Sequence, residues 1–391
     1  MTAFTFLALV AGLVCLVAGA ELLVRGAAAI AARLGVAPVI VGLTVVAVGT
    51  SAPELAVSVS AGVGGNGDIA LGNVLGSNIG NILLILGVSA VIGGLAVSNR
   101  IVRLDLPLLV VVSVGALLLG LDGEIGRIDG GVLAVGFVVY TAWLVRAARR
   151  DRSGTSAAAD RASTDGPRVG QHVALVVAGL VVLVVGSQLL VGSAGDIATA
   201  FGVSELVIGL TVVAVGTSLP ELATSILAAI RGQRDIAVGN IVGSNLFNLL
   251  GVLGLTGVVA GDGVAVGSGT LRLDLPVMLA ATLVLLPIFW SGFEVSRREG
   301  IVLVASYVVY VGYLVLDVGD HAAADVVGPA ALIVGGLVAL TLAVTGVQGW
   351  RRRRGGASPG DRVPAGGTPG SVPTSRPTGP ADRIDRPSRK R

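Results

Sequence analysis

Apolar runs of about 20 residues, each closed by a charged or glycine-rich break, follow one another along most of the chain. Twenty residues of helix rise about 30 Å, the thickness of a bilayer's hydrocarbon core. The pattern predicts spanning helices near residues 4–32, 38–64, 70–95, 105–121 and 128–147. A second set follows near 172–201, 207–231, 237–260, 273–292 and 298–316. The expected organisation is a first five-helix repeat over 1–148, a cytoplasmic linker over 149–170 and a second five-helix repeat over 171–318. An extra transmembrane helix is expected over 325–350. Residues 351–391, rich in Pro, Gly, Ser and Arg, hold little to bury and read as a disordered basic cytoplasmic tail.

The two sets are copies. Residues 42–87 recur without a gap at 209–254, an offset of 167, with 29 of 46 positions identical. Arg103-Leu104-Asp105-Leu106-Pro107 also recurs as Arg272-Leu273-Asp274-Leu275-Pro276. Asp as cap and Pro in the first turn make both segments read as ordinary helix starts. Five spans per half is an odd number, so the second copy enters the membrane from the opposite side. The chain is therefore expected to be an all-α polytopic membrane protein of two inverted repeats, an arrangement suited to alternating access.

Composition agrees with this class: 53% hydrophobic and 13% charged residues, with mean hydropathy +0.90. Charge adds orientation. With the N-terminus outside, the inner loops hold Arg33, Arg100, Arg103, Arg146, Arg149, Arg150, Arg152, Arg231, Arg234, Arg297 and Arg298, and Arg351 to Arg354 follow on the same side. The outer loops hold mainly Asp122, Glu124, Asp129, Asp262, Asp317 and Asp320, with Arg127 and Arg272 as exceptions. Arginines placed in this way explain orientation, and they give no reason to expect nucleic acid as a partner. Met1 to Val24 lacks a basic leading segment and reads as a first span rather than a cleaved signal. The single Cys15 reads as a small buried hydrophobe, and His172 and His321, at span edges, as solvated. Trp143, Trp290, Trp350, Tyr140, Tyr310 and Tyr313 read as interfacial anchors.

The repeated core carries the chemistry. Gly49-Thr50-Ser51-Ala52-Pro53-Glu54 and Gly216-Thr217-Ser218-Leu219-Pro220-Glu221 each put a carboxylate inside an apolar span. Such a group costs about 2.5–3.5 kcal/mol on insertion scales and marks a functional site. Thr50, Ser51 and Glu54 are spaced to share a helix face, and Pro53 must kink or break the helix, freeing carbonyl oxygens beside them. Ser77 and Asn81 follow on the next helix, with Gly72, Gly76 and Gly80 as a small-residue stripe for close packing; Gly239, Gly243, Ser244 and Asn248 repeat this pattern. Thr44, Thr211, Asn73 and Asn240 suit packing and direct ligation about equally. Two carboxylates, hydroxyls and amide carbonyls form an all-oxygen set that suits hard cations, Ca²⁺ and Na⁺. Neither an enzyme's nucleophile–base pair nor a cofactor motif is evident, and nothing points to an obligate protein partner beyond the lipid bilayer.

Gly-Thr-Ser-x-Pro-Glu followed by Gly-Asn-x-x-Gly-Ser-Asn, present twice, resembles the α-repeats of the cation/calcium exchanger superfamily. The chain is most similar in these motifs to bacterial and archaeal sodium/calcium antiporters. The resemblance implies the exchanger fold over about residues 1–316, with Glu54 and Glu221 as central ligands shared by Ca²⁺ and Na⁺. It implies oxygens from Thr50, Ser51, Ser77, Thr217, Ser218 and Ser244 and from the backbone carbonyls of Ala47 and Ala214. It also implies that the first and sixth helices move against the rest. Some potassium-dependent members have Asp where this chain has Asn248, which argues against potassium co-transport. Proton-coupled members resemble Gly-Asn-x-x-Glu where this chain has the Thr50 motif, which favours Na⁺ as driver. The expectation is an electrogenic Na⁺/Ca²⁺ antiporter of the plasma membrane. Ca²⁺/H⁺ exchange is the alternative, and a cation channel the rival from another class.

Overall fold

In the computed structural model the described residues are 3–159, 169–201, 214–261, 263–290, 292–318 and 335–336. The expected eleventh span, apart from residues 335–336, and the basic tail, together with Thr211, His321 and Trp350, lie outside them. The first half comprises α1 (Ala3–Leu34), the bent pair α2 (Pro38–Thr50) and α3 (Ala52–Val63), α4 (Gly67–Gly93), α5 (Ile101–Asp122) and α6 (Arg127–Ala159). The second comprises α7 (Val169–Ala200), α8 (Ala214–Thr217) with α9 (Leu219–Ile230), α10 (Arg234–Val259), α11 (Thr270–Trp290) and α12 (Arg297–Val318). Among the described residues seven helices are long and apolar enough to cross a bilayer, and the bent pair α2/α3 makes an eighth.

Two short antiparallel ribbons demonstrate the inversion. β1 (Leu95–Ala96), before α5, pairs with β4 (Glu294–Val295), after α11. β2 (Glu124–Ile125), after α5, pairs with β3 (Val264–Ala265), before α11. The ribbons therefore lie at opposite ends of α5, and each joins the loop before one fourth span to the loop after the other. Only copies of opposite orientation can pair this way.

Several boundaries differ from the sequence expectation. Helices α4, α5, α10 and α11 start three or four residues early. Asp68 and Asp235 fall in the first turns of α4 and α10, where a carboxylate favours the helix rather than ending the span. The stretch expected as linker is partly helix, because α6 continues to Ala159 and α7 begins at Val169. Its arginines and alanines are good helix formers once outside the bilayer.

The helix-start reading of the two Arg-Leu-Asp-Leu-Pro segments is overturned. Asp105 and Asp274 each close a π-helical turn, Ile101–Asp105 and Thr270–Asp274, inside a helix that has already begun, and Asp105 makes no side-chain cap. Asp105 is fully buried: it accepts from Tyr140 Oη at 3.0 Å and lies 3.5 Å from Arg100 Nε. Asp274 accepts from Tyr310 Oη at 2.8 Å. These tyrosines are thus tied to the interior and are not interfacial anchors. In each half the carboxylate fastens the fourth span to the fifth, and Arg100 also stacks over Trp143, 4.8 Å from its ring centre.

Helices α1 and α7 form an antiparallel pair with glycines at the seam. A side chain on Gly19 would start 2.7 Å from Leu183 N, and one on Gly179 would start 2.6 Å from Leu23 N. Close backbone approach of this kind is how helices associate in lipid, where no hydrophobic force drives them together. Arg231, at the end of α9, reaches α1 through a two-pronged pair with Glu21, at 2.5 and 3.1 Å.

Candidate functional site

The break in the second span is built by Pro53. The helix bends by 47° between α2 and α3, with Ser51 at the junction (φ −85°, ψ 13°). Pro53 has no amide hydrogen, so the Gly49 carbonyl loses its helical donor. The Ala47 carbonyl accepts from Ser51 N at 3.0 Å and lies 3.4 Å from Thr50 Oγ1. Thr50, Ser51 and Glu54 do not share the one continuous helix face expected from their spacing: Thr50 ends α2, and Glu54 stands in the first turn of α3. Ser218 (φ −89°, ψ 8°) makes the matching break between α8 and α9, with Pro220 and Glu221 following.

The two breaks meet crosswise. Ser51 Oγ donates to Glu221 Oε1 at 2.6 Å, and Ser218 Oγ donates to Glu54 Oε1 at 3.1 Å. Thr50 Oγ1 donates to Asn240 Oδ1 at 3.2 Å, and Thr217 Oγ1 to Asn73 Oδ1 at 3.4 Å. Each half thus supplies the hydroxyls that serve the other half's carboxylate and amide. Ser77 Oγ lies 3.3 Å from Ser218 Oγ. Glu54 and Glu221 are both buried, and the second oxygen of each, Oε2, has no hydrogen-bond partner. None of the three ion pairs among the described residues reaches them. Two buried carboxylates facing hydroxyls, without an arginine, are costly unless a cation joins them.

Other candidates are placed differently. Asn81 Nδ2 donates to Asn245 Oδ1 at 3.2 Å, across the halves, and its own Oδ1 is buried without a partner. Both polar atoms of Asn248 are also buried and unpartnered, and Ser244 Oγ is buried beside the Glu221 carboxylate. Ala214 heads α8 as Ala47 heads the last turn of α2. Thr44 bonds back to the Ile40 carbonyl of its own helix at 2.6 Å. Asn73 Nδ2 donates to Ser58 Oγ at 2.9 Å and to the Glu54 carbonyl at 3.1 Å; Asn240 Nδ2 donates to Ser225 Oγ at 3.0 Å. Ser58, Ser225 and Asn245 are additions to the sequence reading. The first two stand one turn after each glutamate, at the same 167-residue offset, so the repeat carried their signal.

Gly239 and Gly243 form the second glycine stripe. A side chain on Gly239 would start 2.7 Å from the Val39 carbonyl, and one on Gly243 2.8 Å from Leu43 Cα. This stripe packs α10 tightly on α2. Gly72 and Gly76 have no such neighbour among the described residues, and Gly80 meets only the Tyr307 ring edge at 3.8 Å. Among the described residues, close packing of the stripe against a neighbouring helix is seen for the second copy.

The profile of the sodium/calcium exchanger protein family matches residues 4–146 and 171–316, both halves of this body. The chain belongs to that family. It is 37% identical to the inner membrane protein YrbG of Escherichia coli over 271 residues, covering 68% of this chain and 83% of that one. It is 32% identical to the sodium/calcium exchanger MaX1 of Methanosarcina acetivorans over 297 residues, covering 67% and 84%. Its fold superposes on the solved structure of the sodium-calcium exchanger NCX_Mj with a TM-score of 0.70 and 31% identity, over 80% of this chain and 99% of that one. The chain is accordingly a multi-pass membrane protein of a cation/calcium antiporter family, with the exchanger fold anticipated from the repeats. Members of this family are transporters, and the ions they move are their ligands.

Proposed function

We propose that this protein is a secondary active antiporter that exchanges Na⁺ for Ca²⁺ across the plasma membrane, with its N-terminus outside. The reciprocal bonds Ser51–Glu221 and Ser218–Glu54 carry the proposal, because a hydroxyl from each half reaches the other half's carboxylate, which supports one shared polar pocket. The unpartnered Oε2 atoms are hard anionic ligands, and the surrounding hydroxyls complete an oxygen set for Ca²⁺ or for Na⁺. The two ions compete for the same oxygens, so each occupies the pocket in turn as access alternates. Thr50 and Thr217, bonded to amides rather than replaced by acids, support Na⁺ over H⁺ as the driving ion.

Coupling follows from energetics. Expelling Ca²⁺ against a 10⁴-fold gradient and 100 mV costs about 5.5 plus 4.6 kcal/mol. Each Na⁺ entering down a tenfold gradient and the same potential returns about 3.7 kcal/mol. Two ions return about 7.4 and three about 11, so exchange against such a gradient is electrogenic. The deciding measurement is ⁴⁵Ca²⁺ uptake into Na⁺-loaded proteoliposomes at clamped potentials. Uptake driven by a Na⁺ gradient, with a rate that changes with the clamped potential and a reversal potential that shifts with the Na⁺ gradient, is the expected result. Uptake that follows a pH gradient in Na⁺-free buffer would overturn it in favour of Ca²⁺/H⁺ exchange, and flux needing no counter-ion in favour of a channel.

A further inference from the structure

The inverted halves repeat the same glycine contacts but differ in side chains beside the ion pocket. Gly130 of α6 packs on Gly254 of α10, and Gly300 of α12 packs on Gly87 of α4; a side chain on the first of each pair would start 2.7 and 2.6 Å from the partner's carbonyl oxygen. These contacts fix the equivalence of α6 with α12 at an offset of 170, and of α4 with α10 at 167. Phe137 then corresponds to Tyr307, Gly80 to Phe247, and Leu84 to Gly251.

On one side Phe137 and Phe247 pack edge to face with ring centres 5.2 Å apart, and Gly251 gives Phe247 its room. On the other side Gly80 has no side chain to fill the equivalent space. A small cavity persists there, although Leu84 and Ile85 also wall it, together with Gly76, Gly80, Ser218, Leu222 and Tyr307; about 10 Å³ is available to the centre of a water molecule. That volume is the size needed for one water, which also requires two or more polar partners. Ser218 Oγ supplies one and the Tyr307 hydroxyl, absent from Phe137, is the second on this wall. Ser218 is also the residue that donates to Glu54.

We propose that Gly80, Ser218 and Tyr307 hold a single water on the Glu54 side of the pocket, and that this water is a ligand of the bound cation. The proposal rests on the exchange function proposed above. Ca²⁺ takes six to eight oxygens, often including water. The two ends of the pocket then differ in chemistry despite their matched backbones: a cation at the Glu54 end keeps one water, whereas the Glu221 end, sealed by phenylalanines, is dry. Gly80 serves by being small, and Tyr307 is a positioning residue acting through the water.

Gly80→Ala and Tyr307→Phe test this in reconstituted, full-length protein. An alanine side chain at Gly80 would start at an ordinary 3.8 Å from Tyr307, so the variant should fold. Half-saturating Ca²⁺ should rise about three- to tenfold in both, with the maximum rate within about twofold, as for losing one hydrogen-bonded ligand. Phe137→Tyr, the mirror substitution, should match wild type. Unchanged half-saturation in both variants overturns the water site, as does a reduced maximum rate at constant half-saturation, which denotes a packing effect. Absence of exchange in the wild type overturns the exchange function itself, and the water ligand with it.

Discussion

Ser51 donates a 2.6 Å hydrogen bond to Glu221, a residue 170 positions away in the inverted half. Its counterpart, Ser218 to Glu54, is longer at 3.1 Å. A hydroxyl on a carboxylate is a charge-assisted bond, stronger when short.

Ser51→Ala should therefore raise half-saturating Ca²⁺ about tenfold or more, and Ser218→Ala by less, since bonds to charged groups contribute about 1.5–3 kcal/mol. Equilibrium ⁴⁵Ca²⁺ binding to purified protein reads the order. An equal or reversed order contradicts the asymmetry.

Glu54→Gln and Glu221→Gln should each abolish Na⁺-driven Ca²⁺ flux. Each removes one of two buried charges that no cationic side chain among the described ion pairs neutralises. Ion-free variants should thus unfold at a higher temperature than ion-free wild type, by a few degrees, while losing the stabilisation that Ca²⁺ gives. Thermal unfolding with and without Ca²⁺ measures both effects.

Asp105→Asn separates stability from transport. It breaks the pair with Arg100, at a cost of about 3 kcal/mol or more for a buried pair. The unfolding temperature should fall, yet surviving protein should bind Ca²⁺ with wild-type half-saturation. A shifted half-saturation would mean that Asp105 participates in ion binding.

The α1–α7 seam has no room for a methyl group at Gly19, where the nearest atoms are backbone. Gly19→Ala should destabilise by about 1–3 kcal/mol, the usual cost of overpacking. Gly131→Ala, with nothing within 4 Å, should be neutral. Unfolding in detergent compares the two.

Much of the architecture was legible in the linear chain. Span length and odd span number implied inverted halves because bilayer thickness and helix rise are fixed quantities. The duplicated Thr-Ser-x-Pro-Glu motif marked the proposed site because a carboxylate in hydrocarbon is too costly to occur twice without use. Asp105 and Asp274 were misread because Asp before Leu-Pro has the same local signature whether it caps a helix or accepts a distant tyrosine. The difference lies 35 or 36 residues along the chain, at Tyr140 and Tyr310.

What the sequence by itself determined is therefore what depends on local chemistry and repetition: the spans, the kinks at Pro53 and Pro220, the inversion, and the two glutamates. Only the tertiary structure decided which partner each polar group meets. The crossed bonds Ser51–Glu221 and Ser218–Glu54, the amide contact Asn81–Asn245, and the exchange of Phe247 for Gly80 beside the pocket all join residues from different halves. The physical reason is that hydrogen bonds and packing act over a few ångströms of space, and proximity between halves is set by helix packing rather than by sequence separation.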